Sequence, residues 1–128
     1  MFRETKAFSG FSVNDLAKAR RFYGETLQIE ITELAEMNVL QLHVAGSNAL
    51  VIYEKADHRP ASFTILNFPV SDVKIAVEKL KALGVTFESY DWPGFKTDAD
   101  HIFRGGGPLI AWFTDPAGNI LSVIQEEE

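Results

Sequence analysis

FSVNDL, residues 11–16, and FPVSDV, residues 68–73, are two renderings of one phrase, with Phe, Val and Asp recurring 57 residues apart. Each leads into a helical pattern. Leu16, Ala19, Tyr23 and Leu27 follow the first, and Val73, Ala76 or Val77, Leu80 and Leu83 the second, at close to the 3.6-residue spacing of one helix face. Asn14 or Asp15, and Ser71 or Asp72, carry the short polar side chains that accept hydrogen bonds from the first free amides of a helix. The endings also match, Leu27-Gln28-Ile29 against Leu83-Gly84-Val85. Gly84 is a natural left-handed stop, and Gln28 in the glycine's place predicts a less regular turn.

Strand-like runs at 29–34, 39–44 and 49–54 follow the first helix, and runs at 86–90, 109–113 and 120–124 follow the second, separated by turn residues. Each half thus reads strand, helix, strand, strand, strand. The expected architecture is α+β: two βαβββ modules, 1–55 and 61–128, forming a curved mixed sheet with a concave cleft and joined by a polar linker at 56–60. One segment, DWPGFKTDADHIFRGGGP at 91–108, has no counterpart in the first half. Long loops without secondary structure are uncommon in small domains and often serve as lids or binding loops.

Composition removes several functional classes. A net charge of -6 with scattered basic residues argues against a polyphosphate partner, so no nucleic acid is expected. The absence of cysteine excludes disulfides, thiolate metal sites and a thiol nucleophile, and fits a reducing, cytoplasmic location. MFRETKAFSG at the N-terminus has no apolar signal core, and no apolar run approaches the ~20 residues of a membrane span. Residues 125–128, QEEE, read as a solvated tail.

The chain closes on FTDPAGNILSVIQ, 113–125. Asp115, Pro116 and Gly118 are the residues a type I turn favours, so a hairpin is expected here. Within its second strand Ser122 shares a face with Ile120 and Ile124, an odd place for a hydroxyl. Hairpin register decides which face Trp112 takes, and a one-residue slip would reverse it.

The doubled strand-helix-three-strand pattern, opened by VNDLAKARRFYGETLQI and closed by FTDPAGNILSVIQ, resembles the vicinal oxygen chelate superfamily of glyoxalases, extradiol dioxygenases and bleomycin-resistance proteins. In its metal-using members the resemblance implies a divalent cation held by His or Glu from four strands. The matching positions here are Phe8, about Ile52, Ile65 and Ser122. Phe and Ile cannot ligate and a neutral hydroxyl is a poor ligand, so no metal and no cofactor are expected. A homodimer is expected because members of this family commonly pair.

Strand parity places Phe8, Gly10 and Ser12 on one face, with Ile65, Asn67 and Pro69 in the corresponding place, and turns Gln41 and His43 away from Leu40 and Leu42. An apolar cavity with polar points at Ser12, Gln41, His43, Asn67 and Ser122 is the usual composition of a small-molecule site, and a filled core with satisfied hydroxyls is the alternative. His43 is either an acid-base group or a surface histidine. His58 reads as a solvated linker residue, and His101, beside Asp98 and Asp100, as part of an ion pair or a local turn. Gly105 to Gly107 lack the Lys and Ser/Thr of a phosphate loop and read as a flexible run. Trp92, Phe95 and Phe103 in the unmatched segment would cover a planar ligand, or else close the core or a subunit contact. The leading expectation is metal-independent binding of a small organic molecule. A glyoxalase-type lyase, isomerase or dioxygenase, and an accessory module with a filled cleft, are the alternatives.

Overall fold

Asp15 and Asp72 start the two helices. Asp15 accepts a hydrogen bond from the Lys18 amide at 3.0 Å, and Asp72 from the Ile75 amide at 3.1 Å. Helix α1 runs Leu16–Arg20 and continues as a π-helical stretch, Arg21–Thr26, while α2 is an uninterrupted Val73–Ala82. Both helices end in a left-handed residue, Gln28 at φ 58° and Gly84 at φ 88°. The two stops share a backbone conformation, but the first turn closes over one more residue: the Ile29 amide donates to the Tyr23 carbonyl, where the Val85 amide donates to that of Leu80. Gln28 lies thirteen positions after Asp15, and Gly84 twelve positions after Asp72. A π-helical turn absorbs one additional residue, which keeps cap and stop in the same relation. Leu83, expected on the apolar face, is 58% exposed because it lies at the helix end.

The described residues, 1–126, fall into two units, Met1–Pro60 and the chain from Ala61 onward. In the first, strands β1 (Gly10–Val13), β2 (Glu30–Leu34), β3 (Val39–His43) and β4 (Leu50–Glu54) form a sheet in the order β1-β4-β3-β2. Strands β1 and β4 are parallel and the other pairs antiparallel. Register puts Ile52 level with Phe11 and Leu40, and Leu50 level with Leu42. These residues, with Val13, make the side on which Ala19, Phe22 and Tyr23 are buried. Complete burial of each large side chain contributes about 1.5–3 kcal/mol.

The second unit repeats the plan. Strands β5 (Thr64–Val70), β6 (Thr86–Phe87), β10 (Ile110–Thr114) and β11 (Ile120–Gln125) lie in the order β5-β11-β10-β6, with β5 and β11 parallel. The expected loop at 91–108 contains three short strands: β7 (Asp91–Trp92) and β8 (Phe95–Lys96) pair as a hairpin, and β9 (Ile102–Phe103) pairs with β10. Phe87 pairs with Phe113 and Phe103 with Ile110, so β6 and β9 lie end to end along one edge of β10. The fourth strand of this unit is thus written in two pieces with an insert between them. Core residues Val73, Val77, Phe87, Ile102, Ala111, Phe113, Leu121 and Val123 are all buried.

The closing turn is held as its sequence predicts. Buried Asp115 accepts from the amides of Ala117 and Asn119, each at 2.9 Å, and from the Asn119 side chain at 2.9 Å. Gln125 is not part of a tail. It ends β11, and its side-chain oxygen accepts from the Val73 amide at 3.1 Å. Glu127 and Glu128 of the expected tail lie outside the described residues.

Candidate functional site

Hairpin register fixes Trp112: it stands directly opposite Ser122 on the face away from Phe113 and Leu121. Asn67 stands opposite Ser122 on the other side. At one level this face therefore carries Trp112, Ser122 and Asn67 side by side. Ser122 is fully buried and donates its hydroxyl proton to the Asn67 side-chain oxygen at 2.5 Å, which answers why a hydroxyl sits among isoleucines. A buried donor without a partner costs about 1–3 kcal/mol.

Ile65, expected on the Asn67 face, is skipped in the β5–β11 ladder: Thr64 pairs with Ile120 and Leu66 with Leu121. This bulge brings Thr64 to Trp112, whose indole N–H donates to the threonine hydroxyl at 3.0 Å. Bulges of this kind re-aim a side chain, and here the re-aimed residue is the threonine.

Five rings adjoin on this side of the unit. Tyr90 and Phe95 lie 5.5 and 5.3 Å from Trp112. Phe95 stacks on Phe103 at 4.8 Å, and Trp92 stacks on Phe95 at 5.6 Å. Such pairings exceed simple area burial by about 0.5–1.5 kcal/mol each. Trp92, at the outer end, is 60% exposed. An open groove runs beside Trp92, Phe95 and Phe103, with Lys96 and Arg104 on its rim. Burial, and then the charge of Glu88, hold the Tyr90 phenol above its ordinary pKa, so it is a neutral hydroxyl.

The insert is fastened to the sheet. Buried Thr97 donates its amide to the Tyr90 carbonyl at 2.9 Å, and its hydroxyl accepts from the Tyr90 amide at 2.9 Å. Asp98 accepts from the amides of Asp100 and Ile102 and from Arg104 Nε at 2.7 Å. Partial burial opposes ionisation there, but the Arg104 bond and the two amides outweigh it and hold the carboxyl below its ordinary range. His101 is a turn residue at φ 67°, with its ring nitrogen 2.9 Å from the Ser89 hydroxyl. Of the glycine run, Gly106 and Gly107 have positive φ, and Gly105 lies against the Phe103 ring.

The first unit places its expected residues less uniformly. Ser12 and Gln41 lie on the face away from Phe11, Leu40 and Leu42, half-buried. His43 shares their parity, is exposed, and its Nε2 lies 2.7 Å from the Thr32 hydroxyl. Phe8 precedes β1 and is 66% exposed, so it is not a strand residue. Ile52 is fully buried on the helix side and cannot line an open face. Phe11 pairs with Ile52 as Phe68 pairs with Val123, so the counterpart of Ser122 is Val51, one residue earlier. His58 is half-buried and not a solvated linker residue, its Nδ1 2.7 Å from the Ser12 hydroxyl. No signal in the sequence joins these two residues 46 positions apart.

A family model described as Glyoxalase/Bleomycin resistance protein/Dioxygenase superfamily matches residues 8–123. The chain belongs to this superfamily. Among solved structures similar to this superfamily member, an antibiotic binding protein from Streptomyces sp. CB03234 is 22% identical, with TM-score 0.67 and 99% of each chain covered. A superfamily member from Sphaerobacter thermophilus is 21% identical, with TM-score 0.70, covering 98% of this chain and 100% of its own. A fosfomycin resistance protein from Listeria monocytogenes is 16% identical, with TM-score 0.70, covering 97% and 94%. No curated protein matches the chain.

The superfamily's metal does not fit these residues. Phe8, Val51, Ile65 and Ser122 offer one hydroxyl among them, and that hydroxyl is buried and bonded to Asn67. Among the described residues no group of three His, Cys, Asp or Glu side chains is placed to hold an ion. Among the described residues no helix is long and apolar enough to cross a membrane.

Proposed function

We propose that this superfamily member binds a small organic molecule without a metal, on the face of its second sheet that carries Asn67, Ser122 and Trp112 and continues through Phe95 to Trp92. The carrying observation is the unbroken run of rings from Trp112 to a 60% exposed Trp92. Rigid aromatic surface with a few fixed polar groups is the usual make-up of a small-molecule site. An exposed tryptophan at the end of a stacked array offers a ligand a ready stacking platform. Relatives described as an antibiotic binding protein and a fosfomycin resistance protein accord with this class of ligand. Phe8, Ser12, Gln41 and His43 are proposed as ligand contacts of the first unit taken by itself, and the working form as a cytoplasmic homodimer.

The test is a titration of chelator-treated protein with a panel of planar aromatic compounds, followed by thermal melting and tryptophan emission. A ligand that binds only the folded state raises the melting temperature. The expected result is a rise and an emission change that survive the chelator and vanish in a Trp92→Ala, Phe95→Ala variant. Binding that appears only when a divalent ion is added would replace this reading with the metal-dependent enzyme.

A further inference from the structure

We propose that Asn67 is the specificity-determining residue of this face and Ser122 its positioning residue, so that the favoured ligand is a flat aromatic molecule bearing a carbonyl-type acceptor. This rests on the binding reading above. Ser122 is fully buried and its proton goes to the Asn67 side-chain oxygen at 2.5 Å. An amide whose oxygen is engaged inward turns its NH2 outward, so donors predominate on its free side. Asn67 is exposed, and among the described residues its nitrogen has no hydrogen-bond partner.

The surroundings leave that donor as the polar feature of its level. Trp112, across Ser122, has its one N–H committed to Thr64, so it offers a ligand apolar ring surface. Next along the β5–β11 ladder stand Pro69, which has no N–H, and Ile124. Neighbouring strands are about 4.8 Å apart, so Asn67 and Trp112, two strands apart, are separated by about 10 Å. A fused two- or three-ring molecule spans that distance with its flat body on the indole and an oxygen at the amide. A hydrogen-bond donor on the ligand would meet the two amide hydrogens instead.

The probe pair is 9-fluorenone and fluorene, of one shape and differing in a carbonyl oxygen, titrated calorimetrically into the full chain. The native protein should bind the ketone about three- to tenfold more tightly, the effect of one neutral hydrogen bond. Asn67→Leu should bring the ratio close to one. Ser122→Ala should lower the ratio, and the double variant should be no lower than Asn67→Leu alone, because the two act as one unit. Circular dichroism and a cooperative thermal transition report that each variant is folded. Fluorene binding with no preference for the ketone, or a preference that survives Asn67→Leu, overturns the role of Asn67 and leaves the binding reading standing. Failure of the native protein to bind either probe overturns the reading for this ligand class and this proposal with it.

Discussion

Gly105 lies so close to the Phe103 ring that a methyl group on it would stand 2.6 Å from two ring atoms. The glycine is there for close approach, and the ring it abuts is the one on which Phe95 stacks. Gly105→Ala should displace Phe103 and loosen that stack, at a cost of about 1–3 kcal/mol in urea unfolding. Phe103→Leu in the same background should recover part of the loss. An alanine variant as stable as the native protein would mean that the ring moves aside freely.

The Trp112–Thr64 bond ties the ring cluster to the bulge of β5. Trp112→Phe should cost about 1–2 kcal/mol through the lost hydrogen bond and the smaller ring. Thr64→Val should cost less, and the double variant little more than Trp112→Phe alone. Additive losses in a double-mutant cycle would show that the bond contributes nothing of its own.

Gln28 and Gly84 share a left-handed backbone, but only glycine adopts it without a Cβ penalty. Gln28→Gly should therefore gain up to about 1 kcal/mol, and Gly84→Ala should lose about 1 kcal/mol. Thermal melting of the two variants beside the native protein reads both signs.

Asp98 gives the insert a defined pH response. Its carboxyl is held below the ordinary value in the folded chain, so its ionised form stabilises the fold above the unfolded pKa of about 3.9. That contribution is lost as pH falls through the lower, folded value. In Asp98→Asn the melting temperature should be lower at neutral pH and should fall less steeply below about pH 4 than in the native protein. Parallel acid limbs in the two proteins would remove Asp98 as the responsible group.

Local and repeated signals made most of the fold legible. The doubled phrase, the Asp15 and Asp72 caps and the Asp115 turn each depend on residues within a few positions of one another. Structure that depends on a single added residue was hidden. The π-helical stretch and the bulge at Ile65 each shift phase by one position, and periodic spacing is blind to that. The same limit displaced the metal-equivalent position on β4 from Val51 to Ile52, a slip that moves a side chain to the opposite face. Trp112 needed the hairpin register, and the bond between Ser122 and Asn67 spans 55 residues. For Asn67 and Ser122 the face was readable but the direction of the hydrogen bond was not.

Because β6 and β9 meet β10 end to end, the ladder is complete on both sides of the insert that separates them. Whatever lies between Glu88 and Ile102 can change in length or lettering without altering a rung to β10. In this chain that interval supplies Tyr90, Trp92 and Phe95. The second unit thus behaves as a fixed frame with an exchangeable cassette, in which new recognition chemistry can be tried while the frame keeps Trp112, Ser122 and Asn67 in register.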